Sequence, residues 1–376
     1  MIIDEVPFFD RRRADAPLMD ALTEAFQRVL RSGQFIQGRE VEGFEEACAA
    51  YLGVPFAIGV SSGSDALTLA LMTLGVKRGD AVICPAYTFF ATAGSIARLG
   101  AQPIFADVDP ETYLLDPASV AAQISARTRA IVPVHLFGQC ADLAALAAVA
   151  AAPIVEDAAQ AFGARVSDGR RAGAQGDFGC FSFFPTKNLG GFGDGGLVTT
   201  RSPVLAESAR MLRAHGARVK HHHARIGYNF RLDALQAALL RVKLGGVDAG
   251  IAQRREHARA YARSLGEAGL EERLILPREV ETGSTWNQYV VRVKGAGKRD
   301  ALRAFLAVRR VGTEIYYPVP LHRQPCFQSL GQEEGSLPVA EAAARETLAL
   351  PIFPELTAAE QEYVIAQILA FFQTGS

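Results

Sequence analysis

One stretch, Pro153 to Thr200, constrains the fold more than any other part of the chain: PIVEDAAQAFGARVSDGRRAGAQGDFGCFSFFPTKNLGGFGDGGLVTT. It opens on a short apolar run that ends in two adjacent carboxylates, Glu156 and Asp157. Successive side chains on a strand point to opposite faces, so one of the two is expected to face inward. Phe181 to Phe184 reads as a strand that delivers a single cation, Lys187, into a segment otherwise made of Pro, Thr, Asn and Gly. Gly190, Gly191, Gly193, Gly195 and Gly196 then leave a backbone with almost no side-chain bulk, free to take unusual φ/ψ values or to lie against something flat. Leu197 to Thr200 reads as the following strand.

The glycines at 191, 193 and 196 match G-x-G-x-x-G, but that fingerprint requires a strand before it and a helix after it, whose N-terminus holds a pyrophosphate. Here a β-branched strand follows, which excludes the dinucleotide reading. A lysine that bonds an aldehyde cofactor, with an upstream carboxylate to pair with a pyridinium nitrogen, accounts better for Lys187 and Asp157. The purely structural alternatives are a solvent-exposed loop lysine and a helix-capping aspartate.

Around this stretch, strand-like and helical segments alternate. Helices are expected over 17–31 and 42–52, and strands over 56–60, 81–84, 103–106 and 130–134. Further helices follow Ser61–Asp65 and span 91–99. The order argues for an α/β domain with a mostly parallel sheet, whose ligand site lies beyond the carboxyl ends of the strands. The turn 61–65 offers free N–H groups and a helix N-terminus, suited either to an anion or to simple capping by its serines. The segment 210–223, with the triplet His221, His222 and His223, reads as a loop near the mouth of a site. Three consecutive histidines cannot all face one ion, so no metal is expected there. An amphipathic helix is expected over 232–244. The next, 249–265, would carry Arg254, Arg255, Glu256 and Arg259 outward. A boundary near Gly245 divides the chain into a large domain, 1–245, and a small α+β domain, 246–376. In the latter, strands are expected over 288–293 and 312–316, and helices over 301–308, 339–347 and 358–372.

EDAAQAFGA followed by GDFGCFSFFPTKNLGGFGDGG resembles the sugar aminotransferases of the DegT/DnrJ/EryC1/StrS family, within the fold-type I pyridoxal phosphate enzymes. The resemblance continues through GQFIQGREVEGFEEACAAYLG, SSGSDALTLAL, PAYTFFAT, GYNFRLDALQAA and EIYYPVPLH. It implies a large α/β domain and a smaller C-terminal one, with pyridoxal 5'-phosphate carried covalently on Lys187. Asp157 would keep the pyridinium protonated, Phe89 would stack on the ring, and Gln160 would bond its 3-oxygen. Gly63, Ser64 and Ser182 would hold the phosphate. Asn229 would reach across a homodimer interface to the phosphate of the neighbouring subunit. From the residues alone, Phe89 reads rather as a core aromatic and Asn229 as a turn residue capping its own backbone.

The implied reaction moves an amino group from L-glutamate to a keto group on a nucleotide-linked deoxysugar, and EIYYPVPLH with KHHHARIGYNFRLDALQAA is closer to the 3-amino branch. Lys220 and Arg231 are candidates for substrate phosphates, or are solvated surface cations. Tyr317 and His322 are candidates for the substrate side, or are loop packing. Amination of a 4-keto sugar, aminohydroxybenzoate synthesis and a non-catalytic cofactor-binding regulator are the alternatives. The dehydratase relatives replace the lysine with histidine, which this chain does not.

Composition narrows the partners. Lys plus Arg, 39, nearly equals Asp plus Glu, 40, with no basic block, which argues against nucleic acid. Five scattered cysteines form no C-x-x-C, so a reducing cytoplasm is expected. The longest apolar run, 143–155, is too short to span a bilayer.

Overall fold

A computed structural model describes residues 4–219, 221–280 and 283–373. After the short helix α1 (Arg11–Asp15), two long helices, α2 (Met19–Ser32) and α3 (Arg39–Leu52), precede the first strand, β1 (Phe56–Val60). Left-handed glycines, Gly33 and Gly53, end both helices. The chain then alternates: α4 (Gly63–Thr73), β2 (Ala81–Pro85), α5 (Ala91–Arg98), β3 (Gln102–Ala106), α6 (Pro117–Gln123), β4 (Thr128–Ile131), α7 (Leu143–Val149) and β5 (Val155–Asp157). β6 (Phe178–Ser182) and β7 (Gly196–Thr200) complete the large sheet.

Four strands run in the order β1-β7-β6-β5 and three in the order β3-β2-β4. Parallel bridges Ile131–Ile154 and Val134–Asp157 join the two groups. β7 is antiparallel to β1 and β6, and the remaining neighbours are parallel. The sheet is therefore mostly parallel, as expected.

Strand alternation sorts the apolar residues into two cores. Ile58, Cys180 and Val198 pack with α4 on one face, while Ala57, Phe181 and Leu197 pack with α2 and α3 on the other. This corrects one expectation: with both faces covered, Glu156 and Asp157 are both buried, on opposite sides. The strand expected over 181–184 begins earlier, at Phe178, and ends at Ser182, because Gly179 sits against Gly173 where no side chain would fit. The strand expected over 130–134 lies two to three residues earlier, as β4.

Beyond β7, α8 (Pro203–Arg213) leads into a small hairpin, β8 (Ala217–Val219) with β9 (His222–His223), where a loop was expected. Lys220, between them, lies outside the described residues. The helices α9 (Ala234–Leu244) and α10 (Val247–Gly266) follow. Arg254 does not face outward: it is buried, and its guanidinium donates to the carbonyls of Trp286, Asn287 and Ile352, three acceptors that only a long cation can reach together. The C-terminal region forms a third core, around β10 (Leu274–Ile275), β11 (Tyr289–Val293), α11 (Lys298–Val308), β12 (Thr347–Leu350) and α13 (Ala358–Gln373), whereas α12 (Pro338–Glu346) packs Ala340, Ala343 and Ala344 into the same core as α4. The strand expected over 312–316 is reduced to single bridges at Val311 and Glu314. Val6 belongs to this third core, so the N-terminal segment crosses back onto the C-terminal region. No helix among the described residues is long and apolar enough to cross a membrane.

Candidate active site

Asp157 ends β5 and is buried. Its Oδ2 accepts a hydrogen bond from Thr92 Oγ1 at 2.8 Å and its Oδ1 accepts one from the Ala159 amide at 3.2 Å. Burial raises its pKa, and the bonds from Thr92 and Ala159 and the charge of Lys187 offset only part of that. Its neighbour Glu156 takes the other route. Burial pushes it up too, but His135 Nε2 at 2.8 Å and the amides of Gly173, Gln175 and Gly176 at 2.6–2.8 Å outweigh burial, so its carboxyl is held below the usual range. His135 Nδ1 accepts from the Ala141 amide, which leaves the ring proton on Nε2, facing Glu156. Glu156 is thus a satisfied structural anchor, and Asp157 a carboxylate in want of a cation.

Lys187 sits in the turn that follows β6, its amide bonded to the Phe184 carbonyl at 2.9 Å. Burial lowers its pKa to about 8, with Asp157 pulling it back upward. An amine so placed is neutral in appreciable fraction near neutral pH, the form that attacks an aldehyde.

Phe89 follows β2 and is 56% exposed, so core packing does not account for it. Its ring lies 5.9 Å from that of Tyr317, whose hydroxyl accepts from Gln160 Nε2 at 3.0 Å. The Phe137 amide donates to Gln160 Oε1 at 2.6 Å, which fixes the orientation of the Gln160 amide. Three of the expected residues, Phe89, Gln160 and Tyr317, therefore converge by direct contact.

The anion-binding corner is built by close backbone approach. Ser62 caps α4 by accepting from the Asp65 amide, which leaves the amides of Gly63 and Ser64, the first two of the helix, pointing out of its end. A Cβ on Gly63 would lie 2.7 Å from Ser182 Cβ, and one on Gly196 would lie 2.5 Å from the Ser62 carbonyl. Glycine at these two positions is what lets β1, β6 and β7 bring Ser182 against the α4 N-terminus. These features, a buried carboxylate, a lysine of lowered pKa, an exposed ring and an anion-binding helix end, fit a phosphorylated pyridine aldehyde.

The other expected residues are placed differently. Arg231, bridged to Val60, lines an open cavity with Ser61, Ser62 and Asp194, and its Nε is buried with no partner among the described residues. Asn229 is exposed and its backbone is bridged to Ala214; among the described residues its side chain makes no bond to its own turn. His322 is buried and its Nε2 lies 3.1 Å from Glu341 Oε1 of α12, so its ring is engaged by that helix. Among the described residues no group of three His, Cys, Asp or Glu is arranged to hold a metal. Sequence reasoning missed Thr92 and His135. The first is a polar residue in an apolar helix start, the second a lone histidine before a tight turn, and neither type announces its partner.

The profile of the DegT/DnrJ/EryC1/StrS aminotransferase family matches residues 18–369. A "Pleiotropic regulatory protein" of Geobacillus stearothermophilus is 47% identical over 372 residues, 98% of this chain and 99% of that protein. A UDP-2-acetamido-2-deoxy-3-oxo-D-glucuronate aminotransferase of Pseudomonas aeruginosa is 41% identical over 366 residues, 96% of this chain and 99% of that protein. The crystal structure of S. venezuelae DesV in complex with a ketimine intermediate superposes with a TM-score of 0.94 at 43% identity, covering 98% of this chain and 99% of the other. On this extent of similarity the chain belongs to the DegT/DnrJ/EryC1/StrS aminotransferase family.

Proposed function

We propose that the chain is a pyridoxal 5'-phosphate-dependent aminotransferase that transfers an amino group from L-glutamate to the 3-keto group of a nucleotide-linked deoxysugar. The observation that carries this reading is buried Asp157, held by Thr92 and within electrostatic reach of both Lys187 and Tyr317, beside the Phe89–Gln160–Tyr317 cluster. Family membership implies the cofactor, in its aldehyde or amine form. Lys187 would attach it, Asp157 would hold its ring nitrogen and Phe89 its face. Gln160 would bond its 3-oxygen, and Gly63, Ser64 and Ser182 would take its phosphate. When bound, the cofactor supplies an electron sink for the carbon that loses its proton.

The chain's own residues do the rest. Lys187, whose burial lowers its pKa to about 8, could both take and return that proton. Asp157 keeps a positive charge opposite it, and Thr92 fixes which carboxylate oxygen faces away. Tyr317 and Arg231 would meet substrate on the open side, and His322 would support that side from behind.

The 3-oxo substrate in the name of the Pseudomonas relative supports the regiochemistry. The name of the Geobacillus relative favours a second reading, a cofactor-binding regulator. A panel of nucleotide-linked 3-keto and 4-keto sugars, incubated with glutamate and read by mass spectrometry of the product, separates them. Amination of 3-keto sugars alone is the expected result. Amination only of 4-keto sugars overturns the regiochemistry, and no turnover with any sugar favours the regulator.

The same reading includes a cytoplasmic homodimer with shared sites. Asn229 is exposed beside Ile226 and Tyr228, and Phe35 and Ile36, on the segment bridged to Asp233, are exposed too. Exposed apolar side chains on both segments suit a twofold interface. A dianionic phosphate buried at the α4 N-terminus needs more donors than Ser64 and Ser182 provide. Mixing Lys187→Ala and Asn229→Ala chains tests the sharing. A heterodimer holds one wholly intact site, and random exchange should restore roughly a quarter of wild-type activity. No recovery, despite demonstrated exchange, means that Asn229 serves its own subunit.

A further inference from the structure

The loop that carries Lys187 folds back on itself. The Gly191 amide donates to the Phe183 carbonyl at 2.7 Å, and a Cβ on Gly190 would come within 2.3 Å of the Pro185 carbonyl oxygen. The fold-back brings the carbonyl oxygens of Pro185, Gly190 and Gly191 to one spot. Converging carbonyls repel one another and need donors. Those donors come from one side chain far away in sequence. Arg11 Nη1 donates to Pro185 O at 3.1 Å and to Gly191 O at 2.5 Å, and its Nη2 donates to Gly190 O at 3.1 Å.

Arg11 is itself held by Asp15 and by Phe192. Its Nε donates to Asp15 Oδ2 at 2.5 Å, and the other oxygen of Asp15 accepts from Lys243 Nζ at 2.7 Å. The guanidinium carbon lies 4.4 Å from the centre of the Phe192 ring. The segment around Arg11 is anchored outside the loop altogether: Val6 is bridged to Val311, Phe9 packs against Phe353, and Arg13 makes two bonds to Glu360 at 2.9 and 2.8 Å. The loop is therefore tied to a support that does not depend on the loop's own folding. Arg11 and Lys187 also line one open cleft of about 240 Å³, so the loop has room to relax if the tie is cut.

Resting on the reading of Lys187 given above, we propose that Arg11 is a positioning residue for the amino transfer: its planar fork fixes the 185–191 backbone in the arrangement that presents the Lys187 amine beside Asp157. Lysine cannot replace it, because an ammonium is a point donor and cannot span three carbonyls in one plane.

The test compares full-length, cofactor-loaded wild type with Arg11→Lys and Arg11→Ala. Arg11→Lys keeps the charge and the pairing with Asp15 and loses only the fork, which guards against a variant that simply fails to fold. Both variants should still bind the cofactor covalently. Their kcat should fall on the order of a hundredfold, as expected for a reacting group displaced by about 1 Å. KM for the keto sugar should stay within about threefold, since substrate contacts are untouched. The pH midpoint of the absorbance of the lysine-bound cofactor should move by roughly half a unit or more, which loss of fold stability alone does not produce. Wild-type kcat and an unchanged midpoint in Arg11→Lys overturn this proposal alone. A colourless, inactive wild-type chain overturns the reading of Lys187 as well.

Discussion

Replacing Lys187 with Ala is expected to abolish covalent cofactor attachment and to lower turnover by about four orders of magnitude or more, because nucleophile and proton carrier are lost in one side chain. The size of the effect follows from the position. Lys187 is pushed down to about 8 by burial while Asp157 supplies the opposing charge. Burial alone makes a lysine a better nucleophile, but the nearby carboxylate is what keeps its proton within reach of the site. Borohydride reduction followed by peptide mapping gives the direct check: the cofactor label should fall on the peptide containing Lys187 and vanish in Lys187→Ala. A label on any other lysine ends the assignment. Added free amines should restore a small part of the activity of Lys187→Ala, since the space of the side chain is left open while the rest of the site is intact.

Much of this site was legible in the sequence because its members lie close together along the chain. Glu156, Asp157, Gln160, Ser182 and Lys187 fall within 32 residues, and the parallel pairing of β5 with β6 carries the ends of both strands to one end of the sheet. The glycines were legible as places of close approach, and the contacts at Gly63 and Gly196 show what approaches. Less legible was anything that depends on a partner distant in sequence. Arg254 stands among outward-facing residues of α10 and looked like one of them, yet three carbonyls contributed by other segments draw it inward. Arg11 lies in a run of three arginines, Arg11, Arg12 and Arg13, whose members do three different things: one ties the lysine loop, one pairs with Asp10 on the surface, one pairs with Glu360. Periodicity separates inside from outside, but it does not separate one arginine from the next.

The strands showed the same limit. Gly179 broke the apolar pattern of β6, so its start was missed, although the space at that residue is what allows β6 to pack against Gly173. The strand β12 follows directly on α12, and the sequence AAARETLALPI carries a helical pattern into it. Pairing of β12 with β11, made from residues some sixty positions earlier, decides where the helix stops. His322 shows the same dependence on a distant partner: its motif suggested the substrate side, and its ring is buried against Glu341 of α12.

Asp157→Asn is expected to separate stability from function. Asparagine preserves the size of the side chain and can still accept from Thr92, but it carries no charge, so it cannot hold a ring nitrogen in its protonated state. Turnover of the loaded enzyme should fall on the order of a thousandfold with KM changed little, the pattern for a group that acts on the reacting system rather than on binding. Stability of the cofactor-free chain should move the other way. The folded-state pKa of Asp157 is raised, by burial first, above that of the unfolded chain. The ionised carboxylate therefore costs stability at neutral pH, and that cost disappears as pH falls through the raised folded pKa towards the ordinary value of 3.8. Cofactor-free Asp157→Asn should accordingly melt higher than cofactor-free wild type at pH 7, with the gap closing on acidification. Loading the cofactor should stabilise wild type more than the variant, because only wild type gains an ion pair in the exchange. Thermal melts of both chains, with and without cofactor, across pH 4 to 8 read this out. Equal melting temperatures for the two cofactor-free chains throughout, or a loaded variant that keeps wild-type turnover, would show that the Asp157 charge is not what the site is built around.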